Sequence, residues 1–206
     1  MDPTDPEVPE PSGRAPLPDP TAVRRLGLLL FLLSLSAFFA AGLVAYAVSH
    51  ATRPVDTPPA GLANLPASLW LSTLLLLLAG MAVEGAAQCA RRARLPQVGR
   101  WLRVALGLGV LFTAAQAMGM AALLRQHQLA LTTRALVGLH GLTFSLVLIH
   151  AAHVLGGIVL LAVLAVAAAL GRLSLEHLPA VRSAATYWHF LEVVWVALLL
   201  AFCLYL

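Results

Sequence analysis

Five long apolar stretches constrain this chain more than any other feature of its sequence. They span about residues 26–49, 66–88, 101–124, 136–170 and 184–206. A helix needs about 20 apolar residues to cross the hydrocarbon core of a bilayer, and each stretch is long enough. None of them alternates between apolar and polar residues as a barrel strand would. The sequence therefore predicts an all-α, polytopic membrane protein with five transmembrane helices in a bundle.

The segment before the first stretch has the opposite character. Residues 1–22 hold five of the nine acidic residues and many prolines, with almost nothing apolar to bury. Such a composition is typical of disorder and not of a cleavable signal peptide, so we predict a disordered, acidic cytoplasmic tail. Residues 23–206 then form the transmembrane domain. A chain that is 60% hydrophobic and 11% charged lies outside the range of ordinary soluble domains.

The basic residues indicate how the helices are oriented. All thirteen are Arg, and they lie in short connections and not in one patch, so we expect no nucleic-acid partner. Ten fall on one side of the predicted bundle and three on the other. Positively charged connections face the cytoplasm, which places the N-terminus in the cytoplasm and the C-terminus outside, in the periplasm. The ten are Arg14, Arg24, Arg25, Arg91, Arg92, Arg94, Arg100, Arg103, Arg172 and Arg182, and the three are Arg53, Arg125 and Arg134.

Few polar side chains lie within the apolar stretches. Glu84 precedes Arg91 by about two helical turns, and we interpret it as a group that leans toward the membrane interface, with a proton-active site as the alternative. We interpret Gln116 as a hydrogen-bond partner between helices. Cys89 and Cys203 lie near opposite ends of their helices, so we expect no disulfide bond between them.

Histidines are the residues that could hold a cofactor. His150 and His153 are three residues apart and share a face of the fourth helix. A bis-histidine haem or a metal would need further ligands from another helix, and only His189 offers one. We therefore predict polar packing contacts between the fourth and fifth helices, or with another subunit. We expect no catalytic, cofactor-binding or metal-binding residue in this chain.

The last apolar stretch contains the most unusual polar pattern. In the segment TYWHFLEVVW, Trp188, Glu192 and Trp195 recur at helical spacing and His189 lies beside them. A carboxylate at membrane depth is tolerated only where it faces protein. We interpret these four residues as packing contacts with other helices, subunits or lipid. Proton transfer through Glu192 is the alternative.

The segment YWHFLEVVW closely resembles the carboxy-terminal signature of cytochrome c oxidase subunit III, with Glu192 where that family usually has Asp. HAAHVLGG, which begins at His150, is similar to a second block of the family, and FLLSLSAFFA, which begins at Phe31, is similar to a third. Gln116 matches a glutamine of the family. The resemblance covers residues 25–206 and fits the short, five-helix bacterial form.

This resemblance implies an accessory subunit of a haem–copper terminal oxidase. In that family subunit III has no redox centre, and the haem and copper belong to partner subunits. It stabilises the catalytic subunit I and supports its proton uptake during oxygen reduction. The implied partners are subunits I and II and membrane lipids, in the inner membrane of a bacterium. The alternatives are the related accessory subunit of a nitric oxide reductase cluster and, from a different class, a small proton-coupled transporter or membrane sensor.

Two positions depart from the family pattern. The family usually has a glutamate in its helix 1 block, where this chain has Leu35, and a second acid where the alignment places Gly119. Roles that depend on those carboxylates cannot be transferred to this chain.

Overall fold

The computed structural model describes residues 20–52, 67–133 and 137–204. These ranges contain no strand, and all five of their long helices are apolar and long enough to cross a membrane. The predicted all-α polytopic fold is confirmed. Most of the predicted tail, residues 1–19, lies outside the described residues. The helices are α1 (Pro20–Ala51), α2 (Ala67–Arg91), α3 (Leu95–Thr133), α4 (Val137–Ala169) and α5 (Leu178–Leu204), with a short 3-10 helix, Leu175–His177, before α5.

Several helices continue beyond the apolar stretches that revealed them. α3 has 39 residues and is roughly 58 Å long, about twice the thickness of the hydrocarbon core. α1 begins at Pro20 and α5 has Pro179 in its first turn, where the missing amide hydrogen of proline costs nothing. An apolar pattern identifies only the part of a helix that is suited to lipid. The backbone hydrogen bonds of the helix can continue beyond that part, so the helix is longer than its apolar stretch.

α4 and α5 each pack against three other long helices. α5 packs against α1, α2 and α4, and α4 packs against α1, α3 and α5, while α2 and α3 pack along each other. Buried residues recur along α5 every three or four positions, which gives it a wide contact stripe. α1 lies at the periphery, packs against α4 and α5, and buries only a narrow stripe. The buried side chains of α1 are Leu35, Phe39 and Tyr46.

The basic end of the bundle contains a recess of about 350 Å³. Its lining includes Arg24, Arg25, Arg91 and Arg182, four of the ten arginines assigned to one side. The start of α1, the end of α2 and the start of α5 therefore lie at the same end of the bundle. Which side of the membrane this end faces stays a prediction.

The C-terminus of α4 is closed by a glycine. The amide of Arg172 donates to the carbonyl of Ala167 at 2.9 Å, and the amide of Gly171 donates to the carbonyl of Ala168 at 3.2 Å. This pair of bonds is a Schellman motif, which requires a left-handed residue after the helix. Gly171 supplies it with φ of 68°.

The C-terminus of α2 closes in the same way without a glycine. The amide of Arg94 donates to Cys89 at 3.0 Å and the amide of Ala93 donates to Ala90 at 3.1 Å. Ala93 occupies the left-handed position with φ of 52°. A Cβ atom disfavours this conformation, so the short connection between α2 and α3 is held in a strained turn.

These two helix ends give a paired prediction. Ala93→Gly should stabilise the protein and Gly171→Ala should destabilise it, each by about 1 kcal/mol, because only the preference for the left-handed backbone changes. A Cβ at position 171 would meet no atom within 4 Å, so no clash contributes there. Unfolding by denaturant in mild detergent measures both effects. Shifts of the same sign in the two variants would contradict this account.

Candidate functional site

Trp195 joins four helices of the bundle. Its indole N–H donates to Oγ1 of Thr73 on α2 at 2.9 Å. Its ring stacks on His150 of α4, with centroids 5.4 Å apart, and meets Phe112 of α3 edge to face at 6.3 Å. The side chain is almost completely buried. One residue of α5 therefore sets the positions of α2, α3 and α4 relative to α5.

His150 is held by rings on both sides. It is fully buried between Trp195 and Phe39 of α1, whose centroid lies 6.1 Å away. Neither ring nitrogen has a hydrogen-bond partner among the described residues. The imidazole thus acts as an aromatic packing group that links α1, α4 and α5, at the cost of unpaired polar atoms.

The side chain of Tyr187 on α5 contacts the backbone of α4 at His153. Nδ1 of His153 lies 2.7 Å from the carbonyl oxygen of Ile149, which can only accept, so Nδ1 carries the proton. The hydroxyl of Tyr187 donates to the carbonyl of His153 at 2.9 Å. A Cβ at Gly157 would lie 3.4 Å from the Trp188 ring, so the glycine lets this tryptophan approach. The segments YWHFLEVVW and HAAHVLGG therefore lie against each other.

A cluster of charged and polar groups joins α2 and α5 on another side of the bundle. Nδ1 of His189 lies 2.8 Å from Oε2 of Glu192, and Nε2 of the same ring lies 3.6 Å from Oε2 of Glu84. The other oxygen of Glu84 lies 3.5 Å from the Arg91 guanidinium and 3.3 Å from the amide nitrogen of Gln88. Glu84 thus faces Arg91 and also His189, a contact that the sequence did not indicate. Its position relative to the membrane interface stays a prediction.

This cluster borders a groove of about 630 Å³. The side chains of His189 and Glu84 are 43% and 31% exposed, whereas that of Glu192 is only 13% exposed. Oε1 of Glu192 has no hydrogen-bond partner within the described ranges. Gly80 packs directly against this carboxyl group, where any side chain would overlap it. The groove is lined by Leu77, Met81, Glu84, Gly85, Gln88, Trp101, His189 and Glu192.

The predicted stripe on α5 divides into two parts. Trp188 and Trp195 lie in the core against α3 and α4, while Glu192 turns toward α2 with His189. Neighbouring positions on one helical face therefore serve different contacts. Tyr187 and Gly80 were not singled out from the sequence, and for Gly80 no local signal existed, because its role depends on a residue more than one hundred positions away.

Gln116 lies beside a second, apolar groove. Its side chain is buried, and both amide atoms lack partners among the residues that the structure describes. The groove encloses about 190 Å³ between α3 and α4, and its other walls include Met120, Leu148 and Leu155. The predicted hydrogen bond to another helix is not formed with any described residue. Both amide atoms are themselves buried, so a group from outside the chain could reach them only after a local shift of the groove walls.

The two cysteines are free thiols. Cys89 lies one turn before Arg94 at the basic end, and its Sγ contacts Oε1 of Gln97 at 3.5 Å. Cys203 lies near the end of α5, the helix whose start contributes to the arginine recess. The chain order therefore puts the two thiols at opposite ends of the bundle.

The fold and these contacts define a polytopic helical membrane protein whose polar side chains converge between α2, α4 and α5. The sequence pattern of the family Cytochrome c oxidase subunit III matches residues 21–206. The chain belongs to the cytochrome c oxidase subunit III family, which confirms the resemblance carried by the motifs.

Curated relatives agree with this assignment. The chain is 32% identical over 181 residues to cytochrome c oxidase subunit 3 of Arabidopsis thaliana, which covers 84% of this chain and 65% of that protein. It is 31% identical over 188 residues to the subunit of Prototheca wickerhamii, covering 88% and 68% of the two chains. The subunit of Danio rerio is 31% identical over 181 residues, covering 84% and 66%. The chain thus spans about two thirds, or slightly less, of the length of these relatives.

The contact between Trp195 and Thr73 can be tested by a double-mutant cycle. Thr73→Val leaves the buried indole N–H of Trp195 without its acceptor and should lower the free energy of unfolding by about 1 kcal/mol. In a Trp195→Phe background the same change should cost much less, because the donor is gone. Equal costs in both backgrounds, measured by denaturant unfolding in mild detergent, would show that the hydrogen bond does not stabilise the bundle.

Proposed function

We propose that this chain is accessory subunit III of a haem–copper terminal oxidase in the inner membrane of a bacterium. It carries no redox centre, stabilises the catalytic subunit I and supports proton uptake while that subunit reduces oxygen. The observation that supports this most directly is the match to the subunit III family over residues 21–206. The contacts between α4 and α5 add to it, because they join the two most characteristic sequence segments in space.

The groove beside Gln116 is the surface that we assign to the catalytic subunit. A buried amide without partners is costly, and inserting a polar side chain from another subunit would relieve that cost. The surrounding walls are almost entirely apolar, which suits a transmembrane helix of a partner. The chain's own helices α3 and α4 form the groove, and because the amide atoms of Gln116 are buried in its wall, docking would include a local shift of the side chains around them.

Purification of the tagged full-length chain in mild detergent tests the proposal. The eluate should contain haem–copper catalytic subunits, identified by mass spectrometry, and show haem absorbance that disappears when the partners are stripped away. Subunits of a nitric oxide reductase in their place would favour the related accessory subunit of that enzyme. A colourless chain without partners would contradict the proposal, as would haem that stays with the isolated chain.

Gln116→Leu should weaken assembly with the catalytic subunit without lowering the stability of the isolated chain. In the isolated chain the substitution removes an unpaired buried amide, so the free energy of unfolding should stay unchanged or rise by about 1 kcal/mol. In the complex it removes the partner's hydrogen bond, so co-purification of the catalytic subunit should fall. Gln97→Leu, the same chemical change at the basic end, is the matched control. If Gln116→Leu leaves co-purification at the level of this control, the groove is not the docking surface.

A further inference from the structure

We propose that Glu84, His189 and Glu192 form a proton-holding site that stores one exchangeable proton at the basic end of the bundle, with His189 and Glu84 as its exposed members. The site belongs to the chain's own side chains. Only its connection to oxygen reduction rests on the proposed function.

The contacts of the His189 ring favour an additional proton. Its Nδ1 lies 2.8 Å from Oε2 of Glu192, within hydrogen-bond distance, and its Nε2 lies 3.6 Å from Oε2 of Glu84, at ion-pair distance. A neutral imidazole carries a single N–H, so one of its nitrogens would face a carboxylate oxygen with a lone pair, whereas an imidazolium attracts both carboxylates. Both contacts become attractive when one more proton is present, either on the ring or on a carboxyl group. The arrangement of the three side chains therefore suits a cluster that holds one proton beyond neutral histidine.

Charge balance leads to the same number. Arg91 lies 3.5 Å from Glu84 and supplies one positive charge. With two carboxylates, this arginine and one additional proton, the four groups have no net charge. Arg91 also lines the recess of Arg24, Arg25 and Arg182, so further positive charge lies at the same end of the bundle. Loss of the proton would still leave both carboxylates charged, which is unfavourable for the enclosed Glu192.

The groove beside the cluster is lined by α2, α3 and α5. α2 contributes Glu84 and Arg91, together with Gln88, whose amide lies 3.3 Å from Glu84. α5 contributes His189 and Glu192. α3 contributes Trp101 to the groove, which does not titrate. The groove lining in the described part of the chain therefore contains no further charged group that would alter the count.

Exposure indicates where a proton enters. The side chains of His189 and Glu84 are 43% and 31% exposed, whereas Glu192 is the most enclosed member at 13%. His189 lies between the two carboxyl groups and contacts both. A proton can therefore reach the imidazole directly or through Glu84, and it can pass from the imidazole to Glu192. The contacts end there, because Oε1 of Glu192 has no partner among the described residues. This geometry is that of a proton-storing site with access from the groove, and not of a path across the membrane.

The test is a pH titration of the full-length chain in lipid nanodiscs. Nitrogen-15 NMR of labelled histidine follows the His189 ring, and infrared difference spectra follow protonated carboxyl groups. Wild-type protein should show one coupled step in both signals. Glu84→Gln and Glu192→Gln should each weaken proton binding by about tenfold or more, because interacting groups titrate as a unit. Glu176→Gln, which alters an exposed carboxylate of the connecting 3-10 helix, is the matched control and should change neither signal.

Two results would overturn the proposal. One is a His189 titration that is the same in wild type and in both glutamine variants, which is what a static packing contact predicts. The other is a coupled step that survives in Glu84→Gln but not in Glu192→Gln, because Glu84 would then be no part of the site. Should Glu192→Gln fail to fold, the Glu84 position, whose side chain is about one third exposed, still decides the question. Co-purification with the catalytic subunit is measured separately, so a failed proton site does not count against the accessory role.

Discussion

The architecture depends on how Trp195 is enclosed. Helices inside lipid gain little from apolar burial, so close packing and a few polar contacts must hold them together. Trp195 provides both, through its stacked contact with His150 and its hydrogen bond to Thr73. Trp188 lies two turns before Trp195 on the same face of α5. Its ring packs against the glycines at positions 109 and 157. α1 then joins the bundle at its edge, through the contacts of Phe39 with the histidines of α4.

The sequence predicts where the helices lie along the chain, but not which residues of different helices contact each other. Five apolar stretches predict five spans because the bilayer fixes the required length, and this prediction is confirmed. The ends of α3 could not be read from hydrophobicity, because a helix continues into the interface without an apolar pattern. The approach of Glu84 to His189 depends on how closely α2 and α5 pack. That distance is set by Gly80, whose role no local motif indicates.

The carboxylates of the five long helices lie together in space. Leu35 and Gly119, where the family resemblance predicts acids, are buried in α1 and α3. Glu84 of α2 and Glu192 of α5 border the same groove between these two helices. Proton chemistry at these two carboxylates would therefore take place on the α2–α5 side of the bundle. It would also lie within reach of Arg91, whose charge the more enclosed positions lack.

The unpaired polar groups of the core fall into two kinds with different consequences. His150 and the indole nitrogen of Trp188 are surrounded by packed helices, so only a trapped water or a rearranged bundle could give them partners. Their cost is offset by the ring contacts that hold α4 and α5 together. The polar atoms of Gln116 are as buried as these, but the residue lines the apolar groove between α3 and α4. A helix docked in that groove would lie beside the amide, and a local shift of the groove walls would then allow the two to pair, whereas His150 and Trp188 would need a change in how the helices of the core pack.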